Sequence, residues 1–231
     1  VGYLFFHYGL KKSYVKSIYF GLGASFPNTI IIGFPLLNMA MERSVAHAST
    51  MAVLIENIIL LPMATMLLEC GTAAGRERFS AGFLLARLYK SPVMVAVIIG
   101  VCLSLFSIPI PETVSTALEK LSATTYGASL IYIGALLACT TFSASVKEVS
   151  AIVFLKLVIH PLVVAGLIWL FPPFDRDLQI TAIVLASMPM FGLYPVIGHQ
   201  YGLSSLGAGA LLYATPISFV TVSCVLYWTV G

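Results

Sequence analysis

The chain has 231 residues, of which 59% are apolar and 9% are charged, and its formal net charge is +3 at pH 7. A soluble domain carries about 25% charged residues, so this composition excludes the soluble globular class and predicts an integral membrane protein. The few basic residues lie beside apolar stretches, which gives no support for nucleic-acid binding. The four cysteines have no paired spacing, and we expect neither a metal site nor a cofactor.

The first apolar stretch, Val1 to Gly9, is too short to cross a bilayer, because a spanning helix needs about 20 residues. We interpret it as the end of a span whose beginning is missing. Seven full apolar spans are predicted after it, near residues 18–40, 46–68, 92–108, 122–142, 150–171, 178–200 and 206–230. The sequence therefore predicts an all-α polytopic membrane protein.

The loops alternate in charge, and this alternation predicts the orientation of the chain in the membrane. The basic residues that would share one side are Lys11, Lys12, Lys16, Arg76, Arg78, Arg87, Lys90 and Lys147. Because basic loops are retained in the cytoplasm, this side is predicted to be cytoplasmic and the C-terminus to lie outside. We expect a multi-pass protein of the cell membrane, either a plasma membrane or a bacterial inner membrane.

The longest polar loop, residues 69–91, divides the chain into two halves. Residues 92–231 contain five spans, whereas residues 1–68 contain two spans and the short N-terminal stretch. Repeats with an odd number of spans have opposite orientations in the membrane, which the loop charges allow. We therefore predict an inverted-repeat fold in which the first repeat lacks its first helices.

Two apolar segments in equivalent positions of the halves contain residues that interrupt a helix. The first segment runs from Ser25 to Pro35 and the second from Ser187 to Pro195. The predicted helix breakers are Pro27, Gly33, Pro35, Pro189, Gly192 and Pro195. In lipid, the polar groups that a break exposes must be satisfied by protein or by a water-filled cavity. Such paired interruptions are typical of a transporter binding site.

A broken helix suits the binding of an anion. The N-terminus of a half-helix has unpaired N–H groups and a partial positive charge, so it can hold a carboxylate without a buried lysine. Asn28 and Thr29 add side-chain donors and acceptors close to the interruption. In the alternative interpretation, the prolines only kink the helix and Asn28 satisfies the carbonyl groups that they free.

Four further polar residues lie inside predicted spans. Glu56 and Asn57 lie about 15 Å from the start of their span, near the bilayer centre, and Glu56 carries either a coupling proton or a structural hydrogen bond. Lys156 and His160 are four residues apart and share a helix face. Lys156 either neutralises a carboxylate substrate, pairs with Glu56 or extends to the cytoplasmic interface. His160 is either a proton relay or a packed or capping residue.

One motif, Phe26-Pro27-Asn28-Thr29 followed by Gly33-Phe34-Pro35-Leu36-Leu37, is fairly specific. Weaker motifs follow in order, at Ser91-Pro92, Lys156 through Pro161, Met188-Pro189, Tyr194-Pro195 and Gln200-Tyr201-Gly202. Together they resemble the auxin efflux carrier family, which includes plant PIN proteins and bacterial malonate and malate carriers. The first motif is similar to that of the family's fourth helix, and the resemblance covers essentially the whole chain.

The resemblance implies ten helices in two inverted repeats of five, with the fourth and ninth helices crossing near Pro35 and Pro195. The substrate site would lie beside this crossing, formed by Asn28, Thr29, Pro35, Tyr194 and Pro195, although Tyr194 is equally a packing aromatic. The chain would run from the end of the third helix to the tenth. The long hydrophilic central loop of many PIN proteins is missing, which favours a bacterial type of carrier.

We therefore predict a secondary transporter, without catalytic residues, that moves a small organic anion such as a dicarboxylate by alternating access. Its other partners would be the lipid bilayer, a coupling proton or Na⁺, and a second copy of the chain in a homodimer. Two alternatives stay open. One is a seven-helix receptor or sensor that binds a small ligand without transport, and the other is an intramembrane enzyme that uses Glu56 and His160.

Overall fold

The computed structural model describes residues 2–41, 46–72, 92–139 and 145–229. The helices among these residues are α1 (Gly2–Leu4, continued by Phe5–Gly9), α2 (Tyr14–Ser25), α3 (Thr29–Ala40), α4 (Ala46–Ile55, Glu56–Leu60 and Leu61–Cys70), α5 (Pro92–Leu105), α6 (Glu112–Cys139), α7 (Val146–Leu170), α8 (Arg176–Ser187), α9 (Tyr194–His199) and α10 (Ser204–Thr229). This part of the chain contains no strand, so the predicted all-α class is confirmed. Most of the loop 69–91, with its four basic residues, lies outside the described residues.

Three of the described helices are long and apolar enough to cross a bilayer: Ala48–Cys70, Val146–Leu170 and Ser204–Thr229. The predicted spans 18–40 and 178–200 are each divided into two helices, α2 with α3 and α8 with α9. The expectation of two broken helices therefore agrees with the helix bounds.

The chain forms two compact units. The first unit is Val1–Val53 together with Leu136–Gly231, and the second is Leu54–Ala135. Both broken helices belong to the first unit, whereas Glu56 and Asn57 belong to the second. The boundaries of these units differ from the predicted division at loop 69–91. Compact units do not test a repeat, which is defined by the symmetry between two segments, so the repeat boundaries stay a prediction.

Three helices contain a wider, π-helical turn just before a proline. The turns are Thr29–Gly33, Glu56–Leu60 and Leu155–Ile159, and the prolines are Pro35, Pro62 and Pro161. The residue before each proline donates its N–H to the carbonyl five residues earlier. The wider turn makes room for the proline ring, which in an ordinary helix clashes with the carbonyl four residues back. The helices therefore continue through these prolines.

Two of the expected helix breakers do not break the helix. Gly33 and Pro35 lie inside α3, so the expectation that they interrupt it is wrong. Gly33 instead allows a close approach, because a Cβ atom there would lie 2.6 Å from a methyl carbon of Leu185 in α8. Around this contact, α3 and α8 share an apolar cluster that includes Leu37, Val184 and Met188.

On the other side of the break, α2 packs against α9 through two tyrosines. The rings of Tyr19 and Tyr194 are stacked, with centroids 4.3 Å apart and planes 7° from parallel. The Tyr19 hydroxyl donates to the carbonyl oxygen of Tyr194 at 2.9 Å, and the Tyr194 hydroxyl donates to that of Tyr19 at 3.2 Å. Each ring also lies against a glycine four residues after the other tyrosine, Gly198 or Gly23. The contact is therefore reciprocal in both stacking and hydrogen bonding.

An ion pair joins the starts of α2 and α7. Lys12 Nζ lies 2.6 Å from Glu148 Oε1, and both side chains are partly exposed. It brings together the starts of two helices that the loop charges assign to the same side of the membrane.

The tyrosine pair predicts a large effect of a small substitution. A Cβ atom at Gly23 would lie 2.5 Å from the hydroxyl oxygen of Tyr194, which is completely buried and cannot move aside. We expect Gly23→Ala to separate the two rings and to destabilise the protein by about 2–4 kcal/mol, from overpacking and loss of the paired hydrogen bonds. Thermal unfolding of the detergent-solubilised protein measures this effect.

The matched control is Gly166→Ala in α7, where an added Cβ atom meets nothing within 4 Å. This variant should unfold within a few degrees of the natural protein. Equal unfolding temperatures for Gly23→Ala and Gly166→Ala would contradict the tyrosine contact.

Candidate functional site at a helix crossing

Both broken helices stop for the same local reason. α2 ends at Ser25 and α8 at Ser187, each two residues before a proline. The residue preceding a proline is driven out of the helical conformation by the proline ring. Accordingly, Phe26 and Met188 are extended, with ψ angles of 117° and 154°.

The two extended segments meet each other directly. They pair antiparallel at Pro27 and Met190, and the N–H of Asn28 donates to the carbonyl oxygen of Pro189 at 2.8 Å. The rings of Phe26 and Phe191 flank this contact, with centroids 4.9 Å apart. Backbone groups that the prolines remove from helices are thus partly satisfied by the opposite broken helix.

This position corrects the crossing expected at Pro35 and Pro195. Pro35 lies inside α3, where the wider turn before it makes room for its ring. Pro195 is the second residue of α9, where a proline is tolerated because the first N–H groups of a helix have no helical partner. The expected crossing point is therefore wrong, and the prolines at the crossing are Pro27 and Pro189. Gly192 lies in the turn between the crossing and α9.

Asn28 lies at the N-terminus of α3 and is 4% exposed. Its side-chain Oδ1 accepts a hydrogen bond from the N–H of Ile31 at 3.3 Å, so Asn28 caps the helix. The cap uses only the oxygen of the amide. The two N–H bonds of the same amide are the donors that Asn28 can offer an anion beside the positive end of α3. Its neighbour Thr29 is also buried.

Lys156 is completely buried, and its ammonium group lies at the crossing. Nζ is 3.1 Å from the carbonyl oxygen of Ala186, near the end of α8, and 3.5 Å from that of Ser25, at the end of α2. Lys156 is eight residues after Glu148, or about 12 Å of helix rise from the end marked by the ion pair. The expected extension of Lys156 to the cytoplasmic interface is therefore wrong.

His160 lies one helical turn from Lys156 and takes part in the same contacts. Its Nδ1 is 3.1 Å from Lys156 Nζ and 3.0 Å from the carbonyl oxygen of Ala186. An unprotonated Nδ1 accepts from the ammonium group, whereas a protonated Nδ1 donates to the carbonyl. A protonated Nδ1 therefore caps the end of α8 directly, whereas an unprotonated Nδ1 contacts that end only through Lys156.

Glu56 and Asn57 lie in the second compact unit. Glu56 is 8% exposed and opens the π-helical turn of α4, and Asn57 is half-buried. The burial of this carboxyl group agrees with the expected inward orientation. The coupling role of Glu56 and its pairing with Lys156 stay predictions.

Tyr194 is completely buried, and its hydroxyl bonds to the carbonyl of Tyr19, which agrees with the packing alternative. Sequence reasoning missed Tyr19, its partner. One signal could have found it: the spacing Tyr-x-x-x-Gly occurs in both broken segments, at Tyr19–Gly23 and Tyr194–Gly198.

The crossing thus separates charge in a way that suits an anion. The negative ends of α2 and α8 face the ammonium group of Lys156, whereas the positive end of α3 carries the Asn28 amide. A carboxylate placed at Asn28 would meet N–H donors and a positive helix end. The described side chains that contact one another at the crossing, Phe26, Asn28, Lys156, His160 and Phe191, include no carboxylate.

The profile of a family described as membrane transport protein matches residues 2–227. The chain is also 26% identical over 209 residues to a protein of Rhizobium meliloti (strain 1021) named "Putative malonate transporter". This alignment covers 90% of the chain and 65% of that relative's length.

Proposed function

We propose that this chain moves a small organic anion across the membrane. The premise is that the chain belongs to the membrane transport protein family, which comprises the auxin efflux carriers and their relatives. The observation that carries this proposal is the buried Asn28 amide at the positive end of α3, where the two broken helices meet. A dicarboxylate fits best, because a relative is named for malonate, which has two carboxylate groups.

The proposed mechanism is alternating access around the crossing. One carboxylate would bind the Asn28 amide N–H groups and the first N–H groups of α3, which a helix N-terminus directs outward. Hydrogen bonds to a charged group contribute about 1.5–3 kcal/mol each, enough to hold an anion without a cation in direct contact. The inverted repeat predicted from the sequence would suit this mechanism, since exchanging the conformations of two repeats opens a site to opposite sides.

One substitution can distinguish the proposed role of Asn28 in anion binding from its role as a helix cap. Asn28→Asp keeps a side-chain oxygen for the Ile31 N–H but replaces the donor N–H groups with a negative charge. We expect it to unfold within a few degrees of the natural protein and yet to lose malonate uptake by about tenfold to a hundredfold. Uptake of radiolabelled malonate into proteoliposomes, with unfolding temperature measured in parallel, tests this.

Asn38→Ala is the matched control, because Asn38 lies in the same helix and is exposed. It should leave uptake unchanged. Normal uptake by Asn28→Asp would remove Asn28 from the site. Binding of malonate without accumulation in sealed vesicles would favour a sensor over a transporter.

We further propose that Glu56 carries a coupling proton, since it is a buried carboxyl group inside an apolar helix. Gln is an uncharged mimic of protonated Glu, so Glu56→Gln should make uptake insensitive to an imposed pH gradient. Exchange of malonate across the vesicle membrane should persist, because it needs no net proton movement.

Glu69→Gln, near the end of the same helix, is the control and should keep the natural response to the gradient. If Glu56→Gln responds to the pH gradient as the natural protein does, Glu56 has only a structural role.

A further inference from the structure

A single buried ammonium group contacts the ends of two helices. The last carbonyl groups of a helix have no partner within it and carry a partial negative charge, equivalent to about half a unit. α2 ends at Ser25, and Ala186 is the penultimate residue of α8. The carbonyl oxygens of both residues lie within 3.5 Å of Lys156 Nζ. One side chain from α7 therefore reaches both negative ends.

The charge of Lys156 matches that of the two helix ends. Two helix ends of about −0.5 sum to about −1, and the lysine contributes one positive charge. Carbonyl groups at the ends of broken helices are also the groups that coordinate Na⁺ in many secondary transporters. In this chain, an ammonium group fixed to α7 lies against those carbonyl groups.

We propose that Lys156 is a tethered cation that takes the place of a bound Na⁺ at the crossing, so that transport by this chain requires no Na⁺. The inference deepens the proposed function, on which its transport consequence rests. Lys156 acts as a positioning residue: it holds the ends of α2 and α8 together and leaves the Asn28 amide to the substrate. Of the two coupling ions expected from the sequence, only the proton then remains.

The size of the side chain suggests a direct test. Lys156→Ala removes the Cγ, Cδ, Cε and Nζ atoms, and n-propylammonium has the same atoms. In the absence of Na⁺, this variant should unfold about 10 °C below the natural protein, because opposing helix ends lose their counter-charge. Added n-propylammonium should restore most of that shift, and Na⁺ should restore part of it. Tetramethylammonium, which has no N–H donor, should have no effect.

Two further variants control for the loss of a lysine and for the loss of its hydrogen bonds. Lys147→Ala removes an exposed lysine near the start of the same helix and should respond to none of these cations. Lys156→Gln keeps a neutral donor and should resemble Lys156→Ala. A Lys156→Gln variant as stable as the natural protein would overturn the proposal, because hydrogen bonding without charge would then suffice. That comparison decides the question even if Lys156→Ala does not fold.

Transport gives an independent readout. Malonate uptake by the natural protein should be equal in Na⁺ and in N-methylglucamine buffers, whereas uptake by Lys156→Ala should increase severalfold with Na⁺ or n-propylammonium. A natural protein that requires Na⁺, or a folded Lys156→Ala that responds to no cation, would overturn the inference. If the natural protein transports no anion, the proposed function fails, and the unfolding temperatures still decide the role of Lys156.

Discussion

The structure depends on the antiparallel contact between the two broken helices. In this contact, a hydrogen bond satisfies one backbone polar group of each segment. Pro27 and Pro189 stop helices inside an apolar chain, where every unpaired backbone group is costly. The bond from the Asn28 N–H to the Pro189 carbonyl satisfies one group on each side. The remaining carbonyl groups at the ends of α2 and α8 require a donor, and the buried Lys156 supplies it. Those carbonyl groups in turn stabilise the buried ammonium group of Lys156.

The same arrangement would favour an anion over a cation in the proposed site. A broken helix exposes a negative end and a positive end at almost the same place, and left alone the two would nearly cancel for an approaching ion. Lys156 compensates the negative ends of α2 and α8, so the positive end of α3 dominates the local potential. Asn28 then contributes neutral donors and not a charge.

The sequence predicted the class of the protein, both broken helices and the polar residues worth following, because these are local properties of composition and spacing. It misplaced the crossing, since Pro27 and Pro35 read alike. The backbone conformation of the preceding residue shows the difference: Phe26 is extended, with a ψ angle of 117°, whereas Phe34 is helical, with a ψ angle of −49°. The role of Lys156 was also out of reach, because its partners are backbone carbonyls 131 and 30 residues away and no side-chain pattern marks them.

The contacts around the crossing form three consecutive layers. The stacked tyrosines join α2 to α9, the Asn28–Pro189 bond and Lys156 hold the centre, and the cluster around Leu185 joins α3 to α8. Each layer is close-packed, and Gly23 and Gly33 leave no room for relative sliding. The four half-helices therefore behave as one body. Under the proposed alternating access, the whole body would have to move, and a substrate bound at its centre would move with it.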